Sequence, residues 1–135
     1  MAEFHPPLGG VHEAGLYVRD LAAAERFWRR LGLQLVARKE GRHAFFRAGR
    51  DMLLLFDASA SREGGEVPSH GAEGPGHVAL DVPDLDALER WREHLDLVGV
   101  EVEHEHTWPS GGRSLYFRDP DGNSLELITR GSWGF

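Results

Sequence analysis

The chain is written twice, and an internal repeat restricts what 135 residues can fold into more than any other feature does. "EAGLYVRDL" (Glu13 to Leu21) lines up with "HVALDVPDL" (His77 to Leu85) at an offset of 77 − 13 = 64. Each reads as an alternating strand followed by an Asp placed to cap a helix. The helices repeat as well: Leu21, Ala24, Phe27, Trp28 and Leu31 form one apolar face, and Leu85, Leu88, Trp91 and Leu95 form its counterpart. Gly32 and Gly99 mark their ends. Three strands are predicted after each helix, over roughly 33–39, 42–48 and 51–56 in the first copy and 100–107, 113–118 and 123–129 in the second. "AFFRAGRDMLLLF" answers "LYFRDPDGNSLELI", with Phe46 against Phe117 (117 − 46 = 71) and Leu54 against Glu126 (126 − 54 = 72). Short insertions in turns account for the drift in offset. The chain is therefore expected to be one domain of two βαβββ modules, 10–57 and 76–130, joined by a Gly, Ser and Pro-rich linker at 58–75.

A βαβββ unit of this size has one sheet face covered by its helix and the other bare, so it needs a second unit to fold stably. The expected class is α+β, with two curved mixed sheets enclosing a cleft. Side chains alternate along a strand, which assigns the faces. Ala14, Leu16, Val18, Val78, Leu80, Val82, Leu125 and Leu127 belong under the helices; Glu13, Gly15, Tyr17, His77, Ala79, Asp81 and Glu126 belong to the cleft. In the other copy the face equivalent to that of Glu126 carries Met52, Leu54 and Phe56, an apolar set. A carboxylate buried there without a partner would cost several kcal/mol, so a cation or a strong donor is expected beside it.

Composition narrows the chemistry. The net charge of −7 and the lack of any basic run argue against nucleic acid and anionic membrane surfaces as partners. The longest apolar run, Met52 to Phe56, is too short to cross a bilayer, and residues 1–10 lack the features of a signal peptide, so a cytoplasmic protein is expected. No cysteine is present, which removes disulfides, thiolate nucleophiles and Cys-type zinc sites. His, carboxylates, Tyr or a metal held by N and O ligands remain. By strand parity Glu13, His77 and Glu126 face one cleft and offer an imidazole and two carboxylates, a set suited to a divalent first-row metal with open positions. His12 is the rival first ligand; it is one residue out of phase, and a bulge at the strand start would bring it in. His104 and His106 alternate with Glu101, Glu103 and Glu105 in what reads as a charged edge strand. His70 falls in the linker and His5 in an N-terminus expected to fray. "HGAEGPGH" precedes a strand rather than opening a helix, so it is not read as a phosphate loop, and "PSGGRSL" lacks the spacing of a serine nucleophile elbow.

The segments "EAGLYVRDLAAAERFWRRLGLQLV", "GHVALDVPDLDAL" and "SLYFRDPDGNSLELI" resemble the vicinal-oxygen-chelate superfamily of glyoxalase, bleomycin-resistance and extradiol-dioxygenase proteins, over roughly residues 10–130. The resemblance implies that the first-strand residue of each module and a Glu of the closing strand bind a divalent ion (Zn, Mn, Ni, Fe or Mg). Carried over by position, these are Glu13, His77 and Glu126, with Glu126 also the candidate catalytic carboxylate. The ion would chelate vicinal oxygens of a small substrate, in lyase, thiol-transferase or dioxygenase chemistry. Glu13 stands where His is common in the family. Leu54 stands where four-ligand lactoylglutathione lyases carry a carboxylate, so the three-ligand pattern is closer to thiol-transferring resistance enzymes, or to ring-cleaving dioxygenases if His12 is the ligand. Tyr116, Arg113 and Arg118 are candidates for orienting substrate, and Phe45 and Trp108 for lining the cleft. A homodimer is implied, since related proteins commonly build each cleft from modules of two chains. The alternative is a metal-free protein that sequesters a ligand, as bleomycin-resistance proteins do, with Glu126 paired to an Arg or solvated.

Overall fold

In the computed structural model, which describes residues 6–7, 10–63 and 66–134, the repeat becomes two four-stranded sheets of identical connectivity. His5 and most of the segment read for targeting lie outside the described residues. The first unit runs β1 (Glu13–Val18), α1 (Leu21–Leu31), β2 (Gln34–Lys39), β3 (His43–Ala48) and β4 (Asp51–Asp57), with α2 (Ala58–Glu63) directly after it. The second runs β5 (His77–Val82), α3 (Leu85–Leu97), β6 (His104–Thr107), β7 (Arg113–Arg118) and β8 (Ser124–Thr129). Strand orders are β1-β4-β3-β2 and β5-β8-β7-β6. In both sheets the first strand runs parallel to the last and the other pairings are antiparallel, giving two mixed sheets.

The helices start where their aspartates cap them: Asp20 Oδ1 accepts from the Ala23 N–H at 3.0 Å and Asp84 Oδ1 from the Ala87 N–H at 2.8 Å. Helix α1 stops at Gly32, whose φ of 100° is left-handed and favours glycine; the Gly32 N–H donates to Arg29 O and the Leu33 N–H to Trp28 O. The apolar faces of both helices and the helix-side residues of both sheets merge into one core, with Trp28, Phe46, Leu88, Leu95 and Phe117 at most 1% exposed. Leu16, Val18, Val82, Leu125 and Leu127 are buried there, while Ala14, Val78 and Leu80 pack at its edge.

Strand β6 is shorter than the sequence pattern suggests, and its partner explains why. His104 lies opposite Tyr116, so Val102 would face Arg118 and Val100 would face Pro120, which has no N–H to offer and sits in the turn between β7 and β8. Val100 and Val102 still pack against the core without pairing as a strand.

The units are tied on the helix side and at one loop. His94 Nε2 of α3 donates to Leu31 O of α1 at 2.9 Å, and the backbone N–H and Nε of Arg19 donate to Asp121 Oδ1 at 2.9 and 3.2 Å. Strands β1 and β5 are sheet edges, and a groove of about 1130 Å³ runs between them. Glu13, Gly15, His77, Ala79 and Asp81 on these strands are exposed. Among the described residues, no helix is long and apolar enough to cross a membrane.

Candidate functional site

Strand register fixes the position of Glu126. It lies opposite Ala79, as Leu54 lies opposite Gly15 in the other sheet. Leu54 is 7% exposed and Glu126 5%, so the fold encloses this position in both copies and the second copy places a carboxylate in it. Glu126 has no Arg or Lys partner among the described residues; its ion-pair partner is His77, whose Nε2 stands 3.1 Å from Oε1.

The hydrogen bonding of His77 decides what that contact means. Its Nδ1 is 2.9 Å from Ser124 O, a carbonyl that can only accept, so Nδ1 carries the ring hydrogen. In the neutral ring Nε2 then presents a lone pair to a carboxylate oxygen. Two acceptors at this distance need a proton or a metal cation between them. A His held by a backbone carbonyl through one nitrogen, with the other nitrogen free beside a carboxylate, is the arrangement by which metal-ligating histidines are oriented. The donor set therefore fits a divalent ion.

The second carboxylate oxygen is already engaged. Ser114 Oγ donates to Glu126 Oε2 at 2.5 Å, and Trp108 Nε1 donates to Ser114 Oγ at 2.8 Å. Tyr116 is directly across from Glu126 in the β7–β8 pair and is half-buried. Burial first, and the Glu126 charge second, push its phenol pKa up, so Tyr116 is a neutral hydroxyl at neutral pH. The rings of His77 and Tyr116 lie 6.4 Å apart at 24°. Beyond them His104, His106, Trp108, Tyr116 and Arg118 line a recess of about 600 Å³.

The structure thus brings together His77, Glu126, Tyr116 and Trp108. Glu13 lies elsewhere: it is exposed and lines the larger groove, whose walls include neither His77 nor Glu126. His12 is exposed as well. Among the described residues, no three His, Asp or Glu side chains gather into a metal-sized group. Phe45 belongs to the open face of the first sheet, stacked by His43 at 4.0 Å and packed on Phe56 at 5.6 Å. On the same face Tyr17 bonds His70 Nδ1 at 2.7 Å and the His70 ring packs on Phe56 at 4.5 Å, so the linker histidine is tied to the sheet.

Arg113 is a correction to the sequence reading. It shares parity with the buried Leu115 and Phe117, faces the helix side, and is paired with Glu105, which also binds Arg92 of α3 at 2.7 Å. It does not reach the face of Glu126. Ser114 is bonded to Glu126 and was not among the residues expected at the site. The signal was available in the parity that places Ser114, Tyr116 and Arg118 on the same face as Glu126.

The "DPDGN" turn holds this geometry. Asp119 Oδ1 accepts from the backbone N–H of Asp121 and Asn123, and Oδ2 accepts from Asn123 Nδ2. Asn123 Oδ1 accepts from the Gly76 N–H at 2.6 Å, one residue before His77. Asn123 is 1% exposed, so Asn123→Ala would leave the buried Asp119 Oδ2 without this donor and would cut the tie to the Gly76 N–H beside β5. The expected loss is about 2–3 kcal/mol of unfolding free energy by urea denaturation; a loss below about 0.5 kcal/mol would show that the turn does not brace β5.

The model of the Glyoxalase/Bleomycin resistance protein/Dioxygenase superfamily matches residues 10–127. A crystal structure of lactoylglutathione lyase from Agrobacterium tumefaciens is 40% identical with a TM-score of 0.91, covering 96% of this chain and 100% of that one. A glyoxalase/bleomycin resistance protein/dioxygenase from Nocardioides is 27% identical with a TM-score of 0.72, covering 93% of this chain and 85% of that one. A glyoxalase/bleomycin resistance protein from Catenulispora acidiphila is 25% identical with a TM-score of 0.64, covering 87% and 95%. A comparison with curated proteins returns no match.

Proposed function

The chain belongs to the Glyoxalase/Bleomycin resistance protein/Dioxygenase superfamily, and from that premise we propose that it is a cytoplasmic, metal-dependent enzyme acting on a small substrate with neighbouring oxygens. The observation that carries this reading is the His77–Glu126 pair, in which Nε2 of an imidazole anchored through Nδ1 to Ser124 O stands 3.1 Å from Oε1 of an enclosed carboxylate. His77 and Glu126 are the ligands from one chain. Glu13 is the third, supplied by a second copy. It holds in β1 the position that His77 holds in β5, it is exposed, and both strands are open sheet edges that a partner would cover. When bound, a divalent ion (Zn, Mn, Ni, Fe or Mg) supplies Lewis acidity toward the substrate oxygens.

This chain's residues do the rest. Oε1 of Glu126, the oxygen that Ser114 leaves free, is the atom through which this carboxylate would hold the ion beside His77. Tyr116, kept neutral by burial, donates to a substrate oxygen, and Arg118 lines the recess as an ion pair with Glu103. Trp108 supplies an aromatic wall on the same side, and Phe45 lines the opposing face contributed by the other sheet. Among the family's reaction types, the lyase type has the support of the 40% identical lactoylglutathione lyase structure, while Leu54, buried where four-ligand lyases carry a carboxylate, leaves three ligands and counts against that type.

Metal analysis and light scattering on protein purified without chelator test this directly. The expected result is a homodimer holding about one divalent ion per chain. A metal-free monomer would instead favour a protein that sequesters its ligand without chemistry.

A further inference from the structure

Glu126 has two carboxylate oxygens, and they are treated differently. Oε1 faces His77. Oε2 is held by Ser114, which is fully buried. A serine hydroxyl has one proton to give and can accept as well. Trp108 Nε1–H can only donate, so at 2.8 Å it fixes Ser114 Oγ as its acceptor and leaves the serine proton to Glu126. The chain of donors runs one way, from Trp108 to Ser114 to Glu126. A tight turn sets the indole in place: the Trp108 N–H donates to Gly112 O at 2.7 Å and the Gly111 N–H to Trp108 O at 2.9 Å.

We infer that Trp108 and Ser114 are positioning residues that lock Oε2 of Glu126 and leave Oε1 alone for a cation, so that the carboxylate ligates through one oxygen. This rests on the metal reading given above. Its consequence is chemical: a carboxylate free to swing would offer both oxygens and occupy a coordination position that substrate needs. The relay is distinct from packing, because the Trp108 ring also rests on His106 at 4.4 Å and a phenylalanine would keep that contact while losing the N–H.

The test uses Ser114→Ala, Trp108→Phe and the double variant, with Mn²⁺ and Co²⁺ affinity read by chelator competition and the Co²⁺ visible spectrum recorded. Ser114→Ala should weaken binding by about 10–100-fold, the range for outer-shell partners, and Trp108→Phe by up to about 10-fold. The double variant should bind within about twofold of Ser114→Ala, since both changes cut one relay. The Co²⁺ absorption of the variants should fall as the carboxylate takes a second position. Additive losses, or a Trp108→Phe protein with wild-type affinity and spectrum, would overturn the relay. Should Ser114→Ala not fold, Ser114→Cys, a weaker donor of similar shape, takes its place. Wild-type protein that binds neither ion refutes the metal reading alone. The relay is then judged in metal-free protein by hydrogen exchange of the Trp108 indole proton. Slower exchange in wild type than in Ser114→Ala supports the relay, and equal exchange overturns it.

Discussion

Glu126→Gln is expected to abolish tight metal binding while leaving the metal-free protein as stable as the wild type or more so. Glu126 is 5% exposed and has no Arg or Lys partner among the described residues, so in metal-free protein only His77 and Ser114 offset the cost of burying its charge. The amide keeps the size, its oxygen can still accept from Ser114, and its NH₂ can donate to the lone pair of His77 Nε2. The substitution therefore removes the ligand charge while leaving partners for Ser114 and His77 in place. The affinity loss should exceed about 100-fold, the upper range for residues outside the ligand shell. Metal-free stability should rise by up to about 1 kcal/mol. Melting curves with and without chelator check both halves. Wild type should lose about 2.7 kcal/mol when an ion present at a hundred times its Kd is stripped, and the mutant should not respond to chelator. A mutant that keeps its metal would show that Glu126 is not a ligand.

Glu13→Ala is expected to weaken metal binding by more than about 100-fold and His12→Ala by less than about threefold, with folding stability changed by less than about 0.5 kcal/mol in either case because both side chains are exposed. The asymmetry follows from register. Glu13 opposes Met52 in the first sheet as His77 opposes Ser124 in the second, so the two hold equivalent places on first strands. His12 precedes β1 and shares parity with Ala14 and Leu16, which turn toward the core. The reverse order of effects, by competition with a metal chelator, would make His12 the ligand and give a site with two imidazoles and one carboxylate.

What was legible in the sequence is what backbone geometry dictates. Side-chain alternation is a property of any strand, so the parity of Leu125, Glu126 and Leu127 could be read without coordinates, and the repeat supplied Leu54 as an internal measure of how enclosed the Glu126 position is. The two helices with their capping aspartates were readable for the same reason. Hydrogen-bond partners were not. The Trp108–Ser114–Glu126 chain depends on a turn that swings an indole from beyond β6 onto β7, and no periodicity encodes that. The early end of β6 depends on where its partner strand stops, and the fate of Arg113 on a Glu105 carboxylate shared with a helix. Helix α2, starting at a position where Asp57 Oδ1 accepts from the Ala60 N–H, lies in a stretch whose Gly, Ser and Pro content reads as loop. Glu13 was legible as a carboxylate at the register position that His77 holds in the other sheet, but strand parity does not tell that it lies apart from His77 and Glu126 within one chain.

In the proposed site one ion is held between His77 and Glu126 of one copy and Glu13 of another. Glu13→Ala and His77→Ala proteins, each purified alone, should both fail to bind Mn²⁺ tightly. Mixed in equal amounts and allowed to exchange subunits, they form hybrid dimers in which one of two sites has all three ligands. Mn²⁺ binding should then reappear in about a quarter of all sites, the value for random pairing. No recovery on mixing, with hybrid dimers present and wild-type protein binding normally, would contradict a site shared between two chains.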